Sequence, residues 1–154
     1  MKPFVLDVEL INEDFFENTR LLGVVARLEN YKFCLQVNHT LGFDFRMDPT
    51  IDIIIKKTIS TKKNQPNSKT YHFDVYSDED KLANTNHYIY VNMREGEYLL
   101  PEFKHMDFLW LMKGDYIEEE KVDHIKETLR NMRGIQLVAE LTNEQFKNKG
   151  NLAF

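Results

Sequence analysis

The sequence holds a single cysteine, Cys34, among 154 residues. That excludes an intramolecular disulfide and any structural zinc or iron–sulfur site built from thiolates of this chain. A reducing, cytoplasmic setting fits best. Proline and glycine are also scarce, four and six residues respectively, so a turn-dense β-sandwich is disfavoured and longer elements are expected. Long apolar runs are missing: the longest, Phe108 to Met112, covers five residues, whereas a membrane-spanning helix needs about 20. Near the N-terminus, Asp7, Glu9, Glu13 and Asp14 interrupt the apolar core that an export signal requires. The five histidines, at positions 39, 72, 87, 105 and 124, never take the spacing that sets two imidazoles on one helical face. A zinc site is not expected. Nucleophile elbow, P-loop and dinucleotide-binding glycine patterns are absent too, so hydrolase and nucleotide readings lack their usual handles, and no cofactor is implied.

What is present describes an ordinary globular chain, 42% apolar and 29% charged, of a size that forms one domain across residues 1–154. Its net charge of −5 argues against a wholesale nucleic-acid binder.

Leu21 to Ala26 form a β-compatible apolar run that leads into a helix ending before Gly42. The main stripe of that helix is Leu28, Tyr31, Cys34 and Leu35, with Phe33 and Val37 lying off it. From Ile51, the residues Ile53, Ile55 and Ile59 alternate with polar neighbours as in a half-buried strand. Tyr71, Phe73 and Val75 alternate likewise and return antiparallel as its hairpin partner. His87 to Met93 reads as another strand, Arg94 to Glu97 as a turn, and Met106 to Met112 as a strand buried on both faces at the sheet centre. Val122, Ile125, Leu129 and Met132 define a second helix, with Glu118 to Glu120 in its first turn, Arg130 and Arg133 in its last, and Gly134 placed to cap it. Ile135, Leu137, Ala139 and Leu141 then alternate as a final strand, parallel to the central one if both share a sheet. The fold class is α+β: a mainly antiparallel sheet of about six strands with two helices on one face, in the order β-α-β-β-β-β-α-β.

Three groups of residues could carry chemistry. His105 and Asp107, two apart on the strand edge, share a face, as an imidazole and its orienting carboxylate require. The favoured reading is a surface histidine beside a hydrogen-bonded aspartate. Glu102 and Asp107 are five apart and point to opposite faces of an extended strand, which weakens a shared metal or paired-carboxylate site. Their structural reading is that Pro101 sets an extended approach, Glu102 accepts nearby backbone donors, and Asp107 is buried and hydrogen-bonded. Between Ile53 and Phe73 there are five lysines (Lys56, Lys57, Lys62, Lys63, Lys69) and no acidic residue, leaving 15 basic against 25 acidic residues elsewhere. This segment could track an RNA backbone with Tyr71 and Phe73 stacking, but it lacks arginine and alternation points both rings inward. A solvated hairpin with lysines along its edge is preferred.

The run Leu100-Pro101-Glu102-Phe103-Lys104-His105-Met106-Asp107-Phe108 resembles the signature of the bacterial IPExxxVDY family, with proline, glutamate and aspartate in place. Leu100, Met106 and Phe108 replace isoleucine, valine and tyrosine, the last losing a hydroxyl. Glu29-Asn30-Tyr31 and the tail from Asn148 to Phe154 are also similar to family features. The resemblance implies a small cytoplasmic protein of a family with no established activity, and it transfers no catalytic residue.

Taken together, these features predict a non-enzymatic interaction protein that docks another cytoplasmic protein or a second copy of itself, with no membrane and no nucleic-acid partner. The alternatives are an enzyme using Glu102, His105 and Asp107 in a cleft, or an RNA accessory protein using Lys56 to Lys69. Leu152 and Phe154 in the tail are expected to be anchored, preferably in the protein's own core as a latch.

Overall fold

The computed structural model of the chain describes residues 18–51, 53–58, 68–142 and 147–153. Its elements are β1 (Thr19–Ala26), α1 (Asn30–Leu41), β2 (Arg46–Met47), β3 (Ile53–Thr58), β4 (Ser68–Phe73), β5 (Val75–Asp80), β6 (Thr85–Val91), β7 (Met93–Arg94), β8 (Glu97–Tyr98), β9 (Phe108–Gly114), α2 (Glu119–Arg130) and β10 (Ile135–Leu141), with 3-10 turns at Pro101–Phe103 and Lys149–Leu152. Six strands pair in the order β10-β1-β9-β6-β5-β2, every neighbouring pair antiparallel. This is the expected α+β class.

Period-2 alternation in β9 sorts the core into two clusters. Phe108, Trp110 and Met112 face α1 and α2, together with Leu22 and Val24 of β1 and Ile89 of β6. Leu109 and Leu111 face the opposite side, where the β3–β4 hairpin, Leu99, Leu100 and Leu152 cover the sheet. With a cover on both faces, β9 is apolar without a break from Phe108 to Met112, because neither side of that stretch meets water. Both β9 and β10 run antiparallel to β1 and so parallel to each other, joined through α2. Arg20 of β1 donates to Glu140 of β10 and, at 2.6 Å, to Glu119 in the first turn of α2, tying that helix to the sheet edge. No helix among the described residues is long and apolar enough to cross a membrane.

Several expectations need correction. The inward face of α1 is Phe33, Cys34 and Val37, while Tyr31 and Leu35 are 51% and 60% exposed. Both sets obey helical spacing, and the deciding contact is the stack of Phe33 on Phe108 at 4.2 Å. Burial pushes the Cys34 thiol up to about 12, so it is an inert core side chain. The sheet does have six strands, but β3 and β4 stand apart as a two-stranded layer, and their places are taken by β5 and the short β2. The chain switches layers at Asp74, whose C=O accepts the Val91 N–H. Gly42 closes α1 in the left-handed conformation, whereas α2 is capped by Asn131 and Gly134 (φ 90) serves the turn into β10. In β10 a register shift opposite Val25 and Ala26 breaks strict alternation and puts Ile135 on the helix side with the buried Val138, while Leu137 is exposed on the other face.

Candidate functional site

The signature segment does not form a strand before Phe108. Pro101, with its fixed φ, opens a 3-10 turn over Pro101–Phe103, and a further turn through Lys104 and His105 precedes β9. This shape is held by Asn92, a fully buried residue just after β6. Its Oδ1 accepts the Leu100 N–H at 2.8 Å, and its Nδ2 donates to the C=O groups of Phe103 and Met106, each at 2.9 Å. Its backbone N–H donates to Asp107 C=O, and its own C=O accepts the Leu99 N–H. One amide side chain thus binds three backbone groups of an irregular segment, one of which, the Phe103 C=O, also accepts the Met106 N–H.

Each residue of the resemblance has a placement in this frame. Leu100 is fully buried on the hairpin side of the sheet. Met106 lies over Gly23 of β1, where an added Cβ would come within 2.8 Å of its thioether. Phe108 stacks on Phe33. Asp107 accepts the Ala26 N–H at 2.9 Å through Oδ2 and donates its own N–H to Val24 C=O at 2.8 Å, extending the pairing of β1 with β9 by one residue. It is hydrogen-bonded as expected but exposed, which corrects the expectation of burial. The aspartate stands before β9 begins, at the sheet rim where water reaches it. Asp107→Ala is therefore expected to cost about 1 kcal/mol, the net worth of one hydrogen bond rather than of an orphaned buried group. A urea titration checks this, and a loss above about 3 kcal/mol would contradict it.

Glu102 is half-buried and turned toward the tail. Its carboxylate accepts the N–H groups of Lys147 (3.4 Å) and Asn148 (3.0 Å) and the Asn148 side-chain amide (2.6 Å). Burial alone would raise its pKa, but the Asn148 amide and the backbone N–H groups of Glu102, Asn148 and Lys147 outweigh it and hold the carboxyl below its usual value. It accepts backbone donors, as expected, although the tail ones come from residues 45 and 46 positions on in the chain. Beyond this clamp, Asn151 donates to Leu99 C=O at 2.8 Å, and the buried Tyr90 hydroxyl donates to Leu152 C=O at 2.9 Å. Leu152 itself is completely buried against the hairpin-side cluster. The tail is a latch at Leu152, while Phe154 lies outside the described residues. Leu152→Ala is expected to lower stability by about 2 to 4 kcal/mol. Deleting residues 151–154 should lower the melting temperature at least as much, and an unchanged melt would reject the latch.

His105 is exposed in the turn, and the carboxylate of Asp107 is engaged with Ala26. The shared strand face that would have paired them does not exist. Glu102, His105 and Asp107 are not brought together: one faces the tail, one the solvent, and one the end of β1.

In the basic segment, Tyr71 and Phe73 are buried, as alternation requires. Lys69 pairs with Glu95 at 2.9 Å and lies 5.1 Å from the Tyr71 ring centroid, and Lys56 is exposed. Lys62 and Lys63 lie outside the described residues, and of Lys57 only the backbone placement in β3 is described.

A cleft of about 560 Å³ lies on the helix side, between the end of α1, the β5–β6 turn and α2, lined by Leu41, Phe43, Asp80, Leu82, Lys121 and Ile125 among others. Asp80 and Lys121 form an ion pair at 2.6 Å across it. Next to Phe43 lies His87, buried and bonded to Trp110. Neither this histidine nor Asn92 stood out in the sequence, because each is one polar residue inside an apolar strand pattern. No group of three or more histidine, cysteine, aspartate or glutamate side chains among the described residues could hold a metal ion.

No family model matches the sequence, and no curated protein matches it.

Proposed function

We propose that this chain is a small cytoplasmic, non-enzymatic interaction protein of the bacterial IPExxxVDY type, which docks a second cytoplasmic protein or another copy of itself. The observation that carries this reading is the use made of the two signature carboxylates. Glu102 and Asp107 both bind the protein's own backbone, at the tail and at the end of β1. Carboxylates so engaged are not poised to move protons on a substrate, and the histidine between them in sequence shares no site with them. The signature then serves to shape a scaffold, and recognition falls to its surface. Tyr31 and Leu35, one turn apart on the outer face of α1, present a large apolar pair to solvent.

The test combines affinity purification at native expression with sedimentation of the pure protein, using the wild type and a Tyr31→Glu/Leu35→Glu double variant. The reading expects a discrete complex that the double variant loses while its melting temperature is unchanged. A protein that forms no complex, or one in which His105→Ala abolishes turnover of a substrate, overturns it.

A further inference from the structure

The His87 side chain is about 1% exposed and faces the helices from β6. Its Nδ1 lies 3.0 Å from Trp110 Nε1. Indole nitrogen only donates, so Nδ1 is the bare nitrogen and a neutral ring carries its proton on Nε2. That Nε2–H has no hydrogen-bond acceptor among the described residues. Folded proteins rarely leave a buried donor in this condition.

Phe43 touches both this ring and the cleft on the helix side. The Phe43 ring is 4.8 Å from the His87 ring and 5.2 Å from the Trp110 ring, and the same side chain lines the cleft. Two charged groups of the cleft wall, Lys121 and Asp80, act electrostatically on His87. Phe43 is itself only half-buried, and its ring must turn aside for a ligand in the cleft to reach the donor.

We propose that, with the Phe43 ring turned aside, this cleft binds a small neutral aromatic molecule bearing a carbonyl oxygen, whose ring packs against Phe43 and whose oxygen accepts the His87 Nε2–H. The cleft volume of about 560 Å³ suits a ligand of that size. Phe43 in the cleft wall, itself edge-to-face with the buried His87 and Trp110 rings at 66° and 80°, favours a ring as the apolar body. Neutrality follows from charge. The rim carries Asp78, Glu79 and Asp80 against Lys81 and Lys121, and Lys121 is already paired with Asp80. An anion would leave water for one neutral donor beside an acidic rim, which costs more than that donor returns. The proposal is independent of the docking surface on α1.

Benzamide is a suitable probe, with toluene and benzylamine as controls. Trp110 is the sole tryptophan, so its indole N–H gives one isolated NMR cross-peak one hydrogen bond away from His87. Benzamide is expected to shift that peak saturably, with a dissociation constant on the order of 1 mM for so small a ligand. Toluene should bind about fivefold or more weakly, the weight of one neutral hydrogen bond. His87→Phe keeps a buried ring and should abolish the preference for benzamide over toluene. Phe43→Ala opens the route without touching the donor and should keep that preference, which guards against a fold defect in the first variant. Equal binding of benzamide and toluene, a response to benzylamine alone, or an unmoved peak at about 10 mM benzamide, a concentration well above that dissociation constant, would overturn the proposal.

Discussion

Asn92→Ala is expected to lower the stability of this protein by about 3 to 5 kcal/mol, enough to remove much of the 5 to 15 kcal/mol typical of a domain. The reason lies in what the amide leaves behind. Without it the Leu100 N–H and the Met106 C=O lose their Asn92 partners and the Phe103 C=O keeps only the Met106 N–H of its turn, in a segment anchored by the fully buried Leu99 and Leu100. Asn92→Asp is a sharper test, since it keeps the acceptor for Leu100 and loses both donors, setting a carboxylate oxygen against two carbonyls. Its loss should equal or exceed that of alanine at neutral pH. Chemical denaturation of both variants decides the matter, and losses below about 1 kcal/mol would mean that the 100–107 segment is held by something else.

The second large effect is acid sensitivity from His87. Burial, joined by the nearby Lys121 and opposed by Asp80, lowers its pKa from 6.5 to about 4. Above pH 6.5 the ring is neutral in both folded and unfolded chains and contributes no pH dependence. As pH falls below 6.5 the unfolded chain takes up a proton that the folded protein refuses, so stability falls. The loss reaches about 2 kcal/mol by pH 5 and about 3 kcal/mol near pH 4, where the folded ring protonates too. Carboxylates with lowered pKa values, such as Glu102, Asp80 and Glu140, lose their stabilising contacts only as pH approaches their ordinary range near 4. The window from pH 6.5 to 5 therefore isolates the histidine. His87→Phe should flatten the stability profile across that window while leaving the fall below pH 5 in place. A variant profile with the same slope as the wild type would assign the acid sensitivity to other groups.

These two residues and the latch mark the boundary between what the amino-acid order alone determines and what the tertiary structure decides. Periodicity along the chain made α2 and the β3–β4 hairpin legible, because alternation and helical spacing are local and each has one apolar set to bury, and an unbroken apolar run marked β9, which has two. The signature segment was legible as a feature, and so was the structural reading of Glu102 as a backbone acceptor. The inward face of α1 was not, since Phe33, Cys34 and Val37 compete with Tyr31 and Leu35 at equally helical spacing, and contact with Phe108 settles it. The split of strands between two layers turns on Asp74, where the chain leaves one pairing for another, and composition carries no mark of that. Alternation in β10 failed at a bulge, one extra residue that exists only in relation to β1. Apart from the Glu102 carboxylate's bond to its own N–H, the partners of the Glu102, Asn92 and His87 side chains lie between 8 and 46 residues away along the chain. Hydrogen bonds of that span leave no local period behind, so only the folded chain, by bringing distant backbone and side chains into one dry neighbourhood, decides which polar groups are satisfied and which are left open.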